Sequence, residues 1–283
     1  MKKYISLFLA ALMLLSLLAG CGKKSDGGDG TRTLVLRNTA GLSTNDPHAT
    51  TNTHDYTVFE NIYEGLYDLN EATGGYDLRL AEKVEANDDA TEYTVTLKQG
   101  VKFHNGETMT ADDVVFSYAH AQKDAHMGSY CRPLDHVEKV DDYTVKIVMN
   151  QPFSPIGHML HKVKIMSKKG VEELGNDFGK VPNKVGTGPY MWDENNYNPL
   201  SSWSAVAFED YHRGKAKIEK ITWNVIADDT SAITALQNGE LDYMVVPISY
   251  WEDIKASNKF NCVEKESNEV MLFCINVESK THG

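Results

Sequence analysis

His158 and His161 stand three residues apart, a spacing that puts two imidazoles on one face of a helix and can begin a metal site. No third ligand lies near them in the chain, and they follow Pro155 without a strong helix start. A solvated or loop histidine pair is the simpler reading, and no metal is expected there. Gly186-Thr187-Gly188 is glycine-rich, but it lacks the Lys-Ser/Thr of a phosphate-cradling loop and no helix is expected after it. There is no GxSxG elbow and no HExxH zinc motif. The paired acids Asp112-Asp113 and Asp141-Asp142 are accounted for as a helix cap and a hairpin turn. Trp192, Trp203, Trp223, Tyr243, Tyr250 and Trp251 crowd the later part of the chain, where their spacing favours core over a ligand platform. No catalytic constellation emerges, so neither an enzyme nor a cofactor is expected, and a secreted hydrolase is disfavoured.

Cysteine chemistry points elsewhere. The chain begins Met1-Lys2-Lys3 and then runs apolar over residues 5–18, interrupted only by Ser6 and Ser16. These 14 residues are too few for a bilayer-spanning helix, which needs about 20. A basic start before a short apolar core is a secretory signal. It ends Leu18-Ala19-Gly20-Cys21, a pattern that looks like a lipobox. Residues 1–20 are therefore expected to be a lipoprotein signal peptide and Cys21 the lipidation site. The multiple acyl chains of such an anchor matter, because one chain holds a membrane only marginally. Residues 21–30 are Gly, Ser and charge, a flexible tether. Cys131, Cys262 and Cys274 have no CxxC spacing. If residues 267–269 turn between two strands, Cys262 and Cys274 fall opposite each other and can form a cross-strand disulfide; two reduced core cysteines fit equally well.

The net charge is −12, and −14 once Lys2 and Lys3 leave with the signal. Such an acidic chain is unsuited to nucleic acid. Apolar content of 41% is that of a globular protein.

The elements that must position any site are legible in outline. Residues 33–38 read as a strand, and Val58, Phe59, Ile62, Tyr63 and Leu66 as one face of a helix with Thr53 and Asp55 as possible caps. Strands are expected at 67–70, 76–80, 92–98 and 101–104, with tight turns at Gly74-Gly75 and Asn105-Gly106. Thr110-Ala111-Asp112-Asp113 reads as a capping box opening a helix. Residues 137–140 and 143–149 read as a hairpin, and 168–174 as a short helix stopped by Gly175. Later come a strand over 218–226, a helix capped by Asp229 or Thr230 and closed by Gly239, a strand over 241–246, and a second capping box at Ser249-Tyr250-Trp251-Glu252. Strands and helices are intermixed, which gives an α/β or α+β class.

Several stretches, in order, resemble one family. They are Asn45-Asp46-Pro47-His48; Asn61-Ile62-Tyr63-Glu64-Gly65-Leu66; Leu80-Ala81-Glu82-Lys83; and Leu97-Lys98-Gln99-Gly100-Val101-Lys102-Phe103-His104-Asn105-Gly106-Glu107, running on to Thr110-Ala111-Asp112-Asp113-Val114-Val115-Phe116-Ser117-Tyr118. Asp142-Tyr143-Thr144-Val145, Val185-Gly186-Thr187-Gly188-Pro189-Tyr190 and Ala235-Leu236-Gln237-Asn238-Gly239-Glu240-Leu241-Asp242 follow. Together they are similar to the family 5 extracellular solute-binding proteins that serve oligopeptide, dipeptide and nickel ABC importers.

The resemblance implies an α/β, two-lobed, periplasmic-binding-protein-like clamp with an extra inserted domain, closing over its ligand by hinge motion. It implies a domain I from 31–46 and 181–275 and a domain II from 47–180. It places the start of a domain III at 276–283, so that the second lobe is missing from this chain. The function implied is a lipid-anchored solute-binding component that captures short peptides and delivers them to an ABC permease and its ATPases. It would act at the extracytoplasmic face of the membrane. A nickel-chelate or other small-solute binder, or a peptide-sensing lipoprotein, is the alternative. By position in the family pattern, Thr51 and Thr53 line the cleft, Tyr130 reaches the ligand, and Val246 and Pro247 form wall. The hydroxyls of Thr51 and Thr53 serve equally well as local caps for the helix at Tyr56.

Overall fold

The computed structural model describes residues 32–264. The signal, the tether, Cys21 and Cys274 lie outside the described residues, as does any pairing of Cys262 with Cys274. No helix among the described residues is long and apolar enough to cross a membrane. Contacts divide the chain into a large unit ending at Met244 and a small one beginning at Val245.

The large unit holds two four-stranded sheets. In the first, β1 (Thr33–Asn38) pairs parallel with β10 (Lys220–Val225), which continues antiparallel to β9 (Ser202–Ala207) and β8 (Tyr190–Asn198). Trp203 pairs with Trp223, and Trp192 with Ala205, so three tryptophans fall on adjacent strands and are buried together. Helix α1 (Thr53–Ile62) lays Val58, Phe59 and Ile62 into this core, and Tyr63 joins them. That is the period of one helix face meeting the period of one sheet face.

The second sheet is fully antiparallel, in the order β4 (Ala81–Ala86), β5 (Glu92–Leu97), β7 (Thr144–Met149), β6 (Leu134–Asp141). Helix α2 (Ala111–Lys123) covers it, with Ala111, Val114, Tyr118 and Ala121 in the core. Its start is the expected capping box: Thr110 and Asp113 satisfy each other's backbone N–H groups. A small hairpin, β2 (Tyr67–Asn70) and β3 (Gly75–Leu78), turns at Gly74 with φ +69°. Two short helices follow the second sheet: α3 (Ile156–Lys162) and α4 (Lys168–Leu174), the latter ending at Gly175 with φ 50°. Helix α5 (Asp229–Asn238) closes on the left-handed Gly239.

Several local expectations are corrected. Residues 101–104 form no named strand; Phe103 N–H bonds to Glu107 O and Met109 N–H to Val101 O, making a tight loop about Gly106. Residues 241–246 make only an isolated parallel bridge, Tyr243 to Leu36. Helix α1 is preceded by Asn52 rather than capped by Thr53 or Asp55, and α5 by Asp228. His158 and His161 lie on a helix after all. Strands β4, β8 and β9 carry no clear alternation: β4 is a polar edge strand, and a register shift between Trp192 and Tyr197 breaks the period of β8.

The small unit contains α6 (Ile248–Ala256), which begins after Pro247 without a side-chain cap, so Ser249 lies inside the helix rather than before it. Residues 260–264 carry no strand.

Candidate functional site

The loop before α1 is built from short polar residues folded onto one carboxylate. Asp55 is fully buried and accepts hydrogen bonds from Thr50 Oγ1 at 2.7 Å and from the Ser43 hydroxyl. The Tyr56 hydroxyl, one residue on, donates to Thr50 O at 3.0 Å and lies 3.4 Å from Met127 Sδ. Met127 opens the 3₁₀ turn Met127–Ser129, and Tyr130 ends that turn with its N–H on Met127 O. One tyrosine thereby joins the Thr50–Thr53 segment to the turn that carries Tyr130.

Thr51 and Thr53 are exposed on this surface, and neither hydroxyl has a hydrogen-bond partner among the described residues. Neither caps α1. Tyr130 is half-buried, its ring centroid 5.4 Å from that of His158 on α3. His158 Nδ1 is 3.1 Å from Tyr76 Oη. Val246 and Pro247 are half-buried at the start of the separately described small unit.

The Asn45-Asp46-Pro47-His48 stretch is a clasp behind this surface. Asp46 Oδ1 accepts the His48 N–H at 2.9 Å, and Oδ2 meets His120 Nε2 at 2.8 Å. Burial pushes the Asp46 carboxyl up, but His120 and His48 together outweigh it and the net shift is down; the hydrogen bond to Asp46 raises His120 in turn. His48 is fully buried and its Nε2 accepts the Lys164 N–H at 3.1 Å. Burial pulls its pKa down to about 4.

Asp46, His48 and His120 bring potential metal-ligand atoms within 4.8 Å of one another. The Lys164 N–H needs an acceptor at His48 Nε2, which places the ring proton on Nδ1 and leaves His48 no lone pair for a metal. The second such group is Glu60, Asp68 and His161, and it does not include His158. There Glu60 already holds Lys164 at 2.8 Å, and Asp68 holds Arg79. Both groups read as hydrogen-bonded and ion-paired structure.

The remaining motifs position the scaffold. Tyr63 Oη donates to Asn45 O at 2.8 Å. Glu64 is buried against Tyr211 Oη at 2.8 Å, His212 Nε2 at 3.0 Å and Arg79 at 3.4 Å. Gly188 N–H bonds to Ile62 O, and a Cβ on Gly186 would stand 2.2 Å from the same oxygen. Gly186-Thr187-Gly188 is therefore where the chain crosses the end of α1 at backbone contact distance, and β8 follows.

Sequence reasoning named Thr51, Thr53 and Tyr130 but missed Tyr56 and Lys162. Lys162 Nζ stands 4.5 Å from the centre of the Tyr56 ring. Both fall on helix faces, where a polar or aromatic side chain carries no signal of its own.

Residues 76–282 match the family model of the bacterial extracellular solute-binding proteins, family 5 Middle. The glutathione-binding protein GsiB of Salmonella paratyphi A is 32% identical over 251 residues, covering 86% of this chain and 46% of that protein. MoaA from A. tumefaciens R10, solved with mannopinic acid, superposes with a TM-score of 0.69 at 31% identity, over 75% of this chain and 44% of that one. The oligopeptide-binding protein AppA from Bacillus subtilis, solved with a nonapeptide, gives a TM-score of 0.73 at 26% identity, over 82% and 47%. The chain spans about half the length of the relatives it matches. Its fold class is the α/β periplasmic-binding-protein-like clamp, as the family pattern implied. The chain belongs to the bacterial extracellular solute-binding proteins of family 5.

Proposed function

We propose that the chain is part of a lipid-anchored extracytoplasmic component of an ABC importer and supplies one wall of a binding site for short peptides. The observation that carries this reading is the surface joined by Tyr56: two unpartnered hydroxyls, Thr51 and Thr53, linked to the turn that presents Tyr130. Free donors and acceptors beside an aromatic ring suit a peptide, whose backbone is bonded while its side chains go loosely held. GsiB is named for glutathione, itself a peptide, and AppA was solved with one. Val246 and Pro247 are assigned as further wall, Cys21 as the acylated residue, and an ABC permease with its ATPases as the partner. Domain I is assigned to 31–46 and 181–275 and domain II to 47–180, with α1 lending its apolar face to the first core.

Mass spectrometry of the full-length protein purified from its native host tests the ligand class. Co-purified short peptides are the expected result. A stoichiometric nickel complex without peptides would replace this reading with the nickel-chelate one.

A further inference from the structure

Lys162 is the last residue of α3 and lies at the edge of the surface just described. It is half-buried, its ammonium rests over the Tyr56 ring, and it makes no ion pair among the described residues. Glu60, whose charge acts on it, gives Oε2 to Lys164 at 2.8 Å. Burial pulls the Lys162 pKa down, so its charge is held at a cost. His158 precedes it by four residues, one turn earlier on the same face. The Tyr76 hydroxyl can donate to His158 Nδ1, which leaves the ring proton on Nε2 as a second donor.

We propose that Lys162, with His158 one turn before it, binds a carboxylate of the peptide ligand between the rings of Tyr56 and Tyr130. This rests on the peptide-binding reading above. A desolvated cation without a counter-ion gains most when an anion arrives, because charge-assisted hydrogen bonds are the strong ones. The setting strengthens the case: on a chain of net charge −12, a carboxylate is disfavoured at long range, so a local free cation is what selects it. The carboxylate is either the peptide's C-terminus or an acidic side chain, and the two sources are separable by probe.

Titration calorimetry of the full-length protein uses four probes: trialanine, trialanine amide, Ala-Glu-Ala amide and Ala-Gln-Ala amide. The expected result is that one acid binds at least about ten-fold more tightly than its neutral partner. Preference within the first pair identifies the C-terminus; preference within the second identifies a side chain. Lys162→Met should abolish that preference, and Lys162→Arg should keep it. Binding of peptides without acid preference, or a preference that survives Lys162→Met, overturns this inference and leaves peptide binding standing. If none of the four probes binds the wild-type protein, the peptide reading fails and this inference falls with it.

Discussion

Asp46 Oδ2 and His120 Nε2 lie 2.8 Å apart, joining the loop before α1 to the last turn of α2. Both partners are shifted toward their charged forms. His120, raised by its bond to Asp46, contributes stability below its ordinary pKa near 6.5 and loses it as pH rises through the raised value. Asp46, lowered, contributes above its ordinary range and loses that as pH falls through the lowered value. The pair is therefore strongest between about pH 4 and 6.5. Asp46→Asn is expected to cost about 1–3 kcal/mol in this window and to return the His120 pKa toward normal, read by denaturant melts and NMR titration.

His48 and His104 work in the opposite sense. Each is buried, and burial lowers each pKa to about 4. An unfolded chain takes up protons on both as pH falls from about 6.5 toward 4, while the folded chain resists, so stability falls with pH across that window. The expected loss is up to about 3 kcal/mol for each histidine by pH 4. His104→Gln should reduce the slope of stability against pH by about one proton, measured by melts at stepped pH.

The loop at Gly186 tests the crossing at α1. A methyl group there would stand 2.2 Å from Ile62 O and 2.9 Å from Tyr63 Cδ1. Ile62 O also accepts the Gly188 N–H, so the backbone cannot withdraw without breaking that bond. Gly186→Ala is expected to destabilise the protein by more than 2 kcal/mol, seen as a lower melting temperature; Gly106→Ala, with open space around it, should cost only about 1 kcal/mol for its φ of +86°.

What was legible in the sequence was whatever writes a period or a cap. The capping box at Thr110 and Asp113, the Gly175 stop and the Asp141-Asp142 hairpin fall where their residue types require. Strands β4 and β8 did not announce themselves, because an edge position and a broken register remove the alternation that would betray them. Ser249-Tyr250-Trp251-Glu252 has the letters of a capping box, yet Pro247 starts the helix first. The site was half legible. Thr51, Thr53 and Tyr130 came from family position, whereas Tyr56 and Lys162 matter through contacts made 71 and 106 residues away in the chain, to Met127 and Tyr56 respectively. No local pattern encodes such a contact.

The anchor is checked independently of ligand. Cys21→Ser should stop incorporation of labelled fatty acid and release the protein from membranes, since removing the acyl chains removes the binding energy they supply. Unchanged labelling and retention would put the attachment elsewhere.

Tyr56 offers the sharpest test of the candidate surface. Its hydroxyl holds Thr50 O, and its ring lies beneath Lys162. Tyr56→Phe deletes only the hydroxyl, so the ring's packing and its contact with Lys162 remain. The fold should lose about 1 kcal/mol or less, because one partly buried hydrogen bond is removed and Asp55 still ties Thr50 and Ser43 to α1. The Thr50–Thr53 segment, however, loses its link to the Met127 turn. Ligand must then fix the Met127 turn against that segment on binding, and the entropy of fixing a residue's backbone is about 1–2 kcal/mol. Peptide affinity of the full-length protein is therefore expected to fall about ten-fold, with the melting temperature of the unliganded protein nearly unchanged. Equal affinity for wild type and Tyr56→Phe, measured side by side by calorimetry, would show that the surface joined by Tyr56 is not where the peptide is held.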